Sequence, residues 1–271
     1  MKRALVVVAL AGSAWATRAP AQEAYGLALR GEAAEAFLRT AEFVSKKGIK
    51  IGITHPDEYT LTDGTRTCRA AWKTIDEFKR GITSLQGGGV IVDFTDSYKH
   101  EIAAYELDKL LGLDLVPPTV ERAFGGRKGS LQLWVEGAMT EAGRKQKKIT
   151  PPDPQAWNEQ MYKVRLLHQV TDNTDFRNIN NVLSDPSFRV YAVDCSRGFT
   201  IYTDLRAPKE LVRFSRSVLE ALKALDRPTL QAKLGPWLAG PQIDSLLKRR
   251  DKIVALAARL VQERGEAAVL Y

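Results

Sequence analysis

The sequence predicts an α+β fold in two halves: a small antiparallel sheet with one long helix, then a mainly helical half carrying a β-hairpin. Three observations predict it. Residues 48 to 135 break into short β-rich runs separated by turn signals, interrupted by one apolar helical stripe between Tyr98 and Leu111. From Asp153 almost to the end of the chain the apolar spacing is mostly helical. Within that region Val182-Leu183-Ser184 and Arg189 to Val193 are rich in β-branched and aromatic residues, and Asp185-Pro186-Ser187 between them has turn chemistry.

The chain has 271 residues and opens on Met1-Lys2-Arg3, an apolar run from Ala4 to Ala16, and Ala19-Pro20-Ala21 ahead of Gln22. A basic start, a short apolar stretch and a small-residue cleavage site read as a secretory signal peptide over residues 1–21. The mature chain is therefore expected to be exported, periplasmic or secreted. Arg18 in the cleavage region leaves an uncleaved anchor open, and no later apolar run is long enough for a membrane span. Residues 22–271 suit a single domain of two lobes, one from about 22 to 136 and one from about 137 to 271.

Net charge is +8, and loss of Lys2, Arg3 and Arg18 with the leader would leave +5. This mild surplus suits an anionic partner. The densest basic run, Arg144-Lys145-Gln146-Lys147-Lys148, has no interleaved aromatic residues on which bases could stack, so it reads as a solvated loop rather than a specific nucleic-acid surface. Two cysteines, Cys68 and Cys195, make no disulfide scaffold, and His55, His100 and His168 do not cluster as zinc ligands would.

Glu32 to Lys47 places Ala36, Phe37, Ala41, Phe43 and Val44 at roughly helical spacing and predicts one N-terminal helix. A meander follows, with strands at Ile49–Ile53, Glu58–Leu61 and Thr67–Ile75 and a turn at Asp63-Gly64. Ser84 to Gly89, with three consecutive glycines, predicts a flexible connection. Thr95-Asp96-Ser97 then supplies N-cap candidates for a helix over Tyr98–Leu111, whose stripe is Ile102, Ala103, Leu107, Leu110 and Leu111. Pro117-Pro118 introduces a strand at Thr119–Phe124, and Ser130–Val135 reads as another, ending at Glu136-Gly137. Helices are expected over Asp153–Val170, Pro208–Asp226, Arg227–Leu234 and Gln242–Arg264.

Chemistry concentrates around the hairpin. Asp175, Asn180 and Asn181 precede its first strand and Asp194 follows its second, so the turn folds both ends to one edge. Hard oxygen donors of this kind suit Mg²⁺ or Mn²⁺. Phosphoryl transfer needs such a metal and one carboxylate placed to take the proton of the attacking hydroxyl. Asp and Asn are also ordinary residues where strands end, so the rest of the chain must decide. Lys73 ends a strand beside Trp72, an apolar setting in which an ammonium needs a partner. Glu101, in the first turns of the next helix, is the candidate. Cys68 lies five residues before Lys73 on the same strand and so on the opposite face, which argues against a bridge to Cys195 beside Asp194.

Lys on a strand, Glu on a helix, a hinge, Asp followed by Asn, then Asp after a hairpin is the order of roles in protein kinases. The stretch from His100 to Arg122 resembles the helix-and-strand segment of the secretory-pathway kinases of the Golgi casein kinase and xylosylkinase group. Asp194-Cys-Ser-Arg-Gly-Phe199 resembles their metal-binding Asp segment. Asn173-Thr174-Asp175 with the downstream Asn more loosely resembles HipA-type and phosphoinositide-kinase-type catalytic loops. After the leader, the chain also resembles a bacterial exported family over nearly its whole length, including Asp63 to Thr67 and Gly265 to Tyr271.

The resemblance implies a bilobal protein-kinase-like fold and an ATP-dependent phosphotransferase acting on a hydroxyl of a protein, sugar or small molecule. ATP, or another nucleoside triphosphate, would bind with Mg²⁺ or Mn²⁺. It implies Lys73 on the nucleotide phosphates, Glu101 as its salt-bridge partner, Glu136 at the hinge beside the base, Asp175 as catalytic base and Asp194 as metal ligand. The metal-binding Asn is either Asn180, five residues after Asp175, or Asn181, directly before the strand. Departures are the lack of a Gly-rich loop before Lys73, where Gly48, Gly52 and Gly64 are scattered, and the lack of a His before Asp175. Two further readings stay open: a pseudokinase scaffold that binds nucleotide or a partner without turnover, and a basic protein that binds envelope anions through Arg144 to Lys148.

Overall fold

In a computed structural model of the chain, residues 25–48, 57–84 and 90–271 are described. The leader, the strand expected at Ile49–Ile53 and His55 lie outside them. In chain order the elements are α1 (Gly31–Thr40), β1 (Glu42–Gly48), β2 (Asp57–Thr62), β3 (Thr67–Lys73), β4 (Asp76–Ser84), β5 (Val90–Ser97), α2 (Tyr98–Leu111), β6 (Thr119–Phe124) and β7 (Arg127–Leu133). They continue with β8 (Met139–Thr140), α3 (Glu141–Gln146), α4 (Pro154–Thr171), β9 (Val182–Ser184), β10 (Val190–Ala192), α5 (Arg216–Ala224), α6 (Arg227–Leu234), α7 (Gly240–Arg264) and α8 (Glu266–Val269). No helix among the described residues is long and apolar enough to cross a membrane.

Five strands form an antiparallel sheet in the order β1-β2-β3-β7-β6. Along β3 the side chains alternate, so Cys68, Ala70 and Trp72 are buried on one face while Arg69, Ala71 and Lys73 take the other. The buried face packs with Leu61, Leu131 and Leu133 against Phe37 and Leu38 of α1. Gly129 is required where β7 meets the end of β3, because a Cβ there would run into the Lys73 carbonyl. The larger core joins α2 to α4, α5, α6 and α7 through Leu107, Leu111, Leu167, Leu222, Leu230 and Leu246. α2 also packs on β6 and β7, so it bridges the sheet and the helical half. Its start is fixed by the Ser97 hydroxyl, which accepts from the Lys99 amide, and its end by Gly112 in the left-handed region.

Several segments differ from the expected elements. The single helix over Glu32–Lys47 is α1 followed by β1: Phe43 leaves the helical stripe to pack on the rings of Tyr59, Trp72 and Phe124 in the sheet. Residues 76–84 and 90–97 pair as a two-stranded ribbon, β4 with β5, on either side of the expected connection. It bends at a bulge where Gly81 and Asp93 both have positive φ and the Gly81 amide donates to the Asp93 carboxylate. The expected helix Pro208–Asp226 is a 3₁₀ turn, Pro208–Glu210, and then α5. It is interrupted because Phe214 and Arg216 pair by backbone with Val269 and Tyr271 at the chain end.

The basic run expected as a loop begins inside a short helix, α3, and the strand expected at Ser130–Val135 runs from Arg127 to Leu133, while the other expected elements match to within a few residues. The hairpin of β9 and β10 turns at Asp185, whose carboxylate accepts from the Ser187 and Arg189 amides. α4 starts on Asp153, which caps Gln155 and Ala156 ahead of Pro154 at the first turn. Cys68 and Cys195 are buried free thiols. Arg144, in the basic run, is held by Glu141 and lies over the Trp157 ring.

Candidate active site

Lys73 leaves the last position of β3 and its ammonium donates to Oε1 of Glu101 and, at 2.6 Å, to Oδ1 of Asp194. Glu101 belongs to the first turn of α2, and its second oxygen accepts from the Cys195 amide at 3.0 Å. Sheet, helix and the segment after β10 thus meet on one ammonium. The Lys73 side chain is 15% exposed and that of Glu101 2%, whereas Asp194 is 36% exposed and reaches the solvent side. Burial alone would push the Lys73 ammonium down, but the Glu101 and Asp194 carboxylates outweigh it and raise its pKa. Burial pushes Glu101 up against the pull of Lys73. The neighbouring ammonium holds Asp194 below the usual carboxylate range.

Asp194 sits at φ 58, in the left-handed region, which Asp enters more readily than most non-glycine residues. Ser97 donates its amide to the Ser196 carbonyl, and His100 Nδ1–H donates to the same oxygen, so α2 grips the residues just beyond Asp194. Burial keeps His100 neutral, with its pKa lowered to about 4, which leaves Nε2 to accept from the Gln242 amide.

Asp175 lies in the loop after α4. Its Oδ2 accepts from Asn178 Nδ2 and from Asn181 Nδ2, each at 3.0 Å, and its own amide donates to Asn173 Oδ1. Oδ1 accepts nothing among the described residues, so this oxygen can receive a proton. Asn181 is buried and its carbonyl accepts from the Val193 amide at 2.9 Å, so it neighbours Asp194 across the base of the hairpin. Asn180 is exposed and its amide is tied to Asn178. Between these two residues, Asn181 is the one joined to both carboxylate loops.

Glu136 follows β7 at the end of the sheet half. Its carboxylate pairs with Arg69, and its backbone N–H and C=O are both taken by Gly26 in the strand-like segment before α1. Among the described residues no three His, Cys, Asp or Glu side chains lie close enough to hold a metal by themselves. The donor set is one partly exposed carboxylate, Asp194, plus the Asn181 amide oxygen. It fits a hard divalent ion whose remaining ligands come from water and phosphate, as Mg²⁺ prefers. A cavity of about 620 Å³ between Asp204–Pro208 and α7 contains none of these residues.

Sequence reasoning assigned no role to Asp172, Asn178, Ser196, Arg206 or Arg249. Asn178 and Ser196 flank recognised residues, and their signal was adjacency. Ser196 Oγ lies 3.3 Å from Asp194 Oδ1. Arg206 and Arg249 carried no local signal, since their partners come from distant segments.

No protein-family model matches the sequence, and no curated protein does. Solved structures do. A Fam20 from hydra, with sugar, superposes at TM-score 0.65 with 13% identity, over 88% of this chain and 90% of that one. The Golgi casein kinase superposes at 0.62 with 15% identity, over 88% and 76%. The Helicobacter pylori proinflammatory kinase CtkA superposes at 0.53 with 9% identity, over 83% and 98%. The two coverages show that the likeness extends through both the sheet half and the helical half, and the chain has a protein-kinase-like fold.

Proposed function

We propose that the chain is an exported, ATP-dependent phosphotransferase that acts on a hydroxyl of a protein, sugar or small molecule. The observation that carries this reading is the convergence of Lys73, Glu101 and Asp194, with Asp175 and Asn181 tied beside them at the base of the hairpin. In this reading Lys73 fixes the nucleotide phosphates and Glu101 fixes Lys73. Asp194 and Asn181 would hold Mg²⁺ or Mn²⁺, which neutralises phosphate charge when bound. Asp175 presents Oδ1 to the acceptor hydroxyl, while Asn178 and Asn181 keep the other oxygen occupied and the carboxylate oriented. Export rests on the reading of residues 1–21.

The test is transfer of labelled phosphate from ATP, with Mn²⁺ or Mg²⁺, to a panel of proteins and sugars. Asp175→Asn should lower turnover by about 10²–10⁴-fold, the usual contribution of a general base, with nucleotide affinity little changed. Asp194→Asn should lower metal-dependent nucleotide binding itself. The Lys73 ammonium on Asp194 favours a second reading, a scaffold that keeps this carboxylate occupied without turnover. A protein that binds nucleotide, transfers nothing and ignores Asp194→Asn supports that reading against the first.

A further inference from the structure

The residues after Asp194 are held in an unusual way for an irregular stretch. Four consecutive carbonyls each accept from a side chain of α7: Phe199 from Gln242 Nε2 at 2.8 Å, Thr200 from Arg249 Nη1 at 3.1 Å, Ile201 from Ser245 Oγ at 3.0 Å, and Tyr202 from Arg249 Nη1. Arg249 is fully buried, and its Nε also donates to the Val170 carbonyl near the end of α4 at 2.9 Å. One guanidinium therefore binds the helix leading to Asp175 and the segment leading away from Asp194.

Asp172 completes this connection. It caps the C-terminus of α4 in the left-handed region, φ 51, and is buried. Its carboxylate accepts Nε of Arg206 at 2.6 Å and Nη2 at 3.0 Å, a two-toothed grip, and also the Thr200 hydroxyl. Further ties run alongside: Thr174 donates its amide and hydroxyl to the Arg197 carbonyl at 3.2 and 3.3 Å, Phe199 donates its amide to Thr171, and Ala207 donates its amide to the Gln169 side chain at 2.9 Å. The Thr200 hydroxyl is consumed, and a phosphate there would set like charges beside Asp172.

We propose that Asp172 is a positioning residue for phosphoryl transfer. Through Arg206 and Thr200 it clamps the segment after Asp194 to the loop that carries Asp175, so the two carboxylates stay in register without covalent modification of the segment. The proposal rests on the phosphotransferase reading. A buried carboxylate gripping a fork is stiff, and misplacement of a reacting group by about 1 Å costs on the order of 10²-fold in rate.

The experiment compares the full protein with Asp172→Asn, Arg206→Gln and Arg206→Lys. It measures Mn²⁺–ATP turnover, the Kd for Mn²⁺–ATP, and amide exchange at Phe199 and Ala207. Asp172→Asn should lower kcat by about 10–100-fold and leave Kd within about threefold, a split that general loss of structure does not give. Exchange at Phe199 and Ala207 should quicken by at least about tenfold. Arg206→Gln should act alike, and Arg206→Lys should recover part of the rate. Arg206 is 32% exposed, so its variants carry the test if Asp172→Asn does not fold. An active parent whose Arg206→Gln variant keeps kcat and exchange within about twofold overturns the clamp alone. A parent inert toward Mn²⁺–ATP overturns the phosphotransferase reading, and the positioning role with it.

Discussion

Replacing Lys73 by Met should lower the unfolding free energy by about 3–5 kcal/mol at neutral pH. The magnitude is that expected when one partner of a buried ion pair is deleted and its counter-charge stays behind. Glu101 is that counter-charge. Its side chain is 2% exposed, and without the ammonium only the Cys195 amide faces its carboxylate. Asp194 can turn to solvent and should contribute little to the loss. The variant relieves its strain by binding a proton on Glu101, whose pKa burial has already raised. A group with its folded pKa above the unfolded one stabilises below the unfolded value and loses that contribution as pH rises through the folded value. The deficit of Lys73→Met should therefore grow from acid toward neutral pH. Glu101→Gln added to Lys73→Met should recover part of the loss. Denaturant titrations of the parent, Lys73→Met, Glu101→Gln and the double variant read both effects, and a double variant as unstable as the sum of the singles would refute the account.

The same pair shows what can be read from a sequence. Lys73 beside Trp72 was legible because a strand end with an apolar neighbour leaves an ammonium short of a partner, and Glu101 was legible from its place in the next helix. Asp175 and Asp194 were legible because a short hairpin with a strong turn returns its two ends to one edge. Fold class followed from periodicity, which β3, α2, α4 and α7 carry strongly. Two of the misread segments share a physical cause. At Phe43 and at Phe214 to Arg216, partners distant in sequence override a local pattern: three aromatic rings of the sheet in one case, and the backbone of Val269 and Tyr271 in the other. The clamp was invisible for that reason too. Arg249 and Arg206 lie far along the chain from Val170 and Asp172, and nothing near either arginine marks it as buried or paired.

Glu136 teaches a narrower lesson. Its place at the end of the sheet half was readable, but not that its backbone pairs with Gly26 and its carboxylate with Arg69. Position along a chain fixes where a residue falls in the fold. It does not fix which of that residue's polar groups remain for a ligand.

Acid should destabilise this protein through its buried imidazoles, and His168 isolates the effect. His168 lies near the end of α4 among Leu166, Leu167 and Val170, and burial lowers its pKa from 6.5 to about 4. His100 is lowered to about 4 by the same cause. Both are neutral in the folded protein at pH 7. A folded pKa below the unfolded one means stability that is present above the unfolded value and lost as pH falls through the folded value. The window runs from about pH 6.5 to pH 4, and each imidazole removes about 3 kcal/mol across it. Asp108 works in the opposite direction. Burial pushes its carboxyl up to about 6 despite the Leu115 and Val116 amides that it accepts, so it takes up a proton in the folded state and offsets part of the loss. Total stability therefore mixes signs, and the difference between parent and His168→Gln does not. Between pH 7 and pH 4 the parent should lose about 3 kcal/mol more unfolding free energy than His168→Gln, whatever the variant's own stability at pH 7. Chemical denaturation at a series of pH values measures that difference directly. Parallel curves would mean that His168 charges in the folded state as readily as in the unfolded one, and that the packing around the end of α4 admits water to the ring.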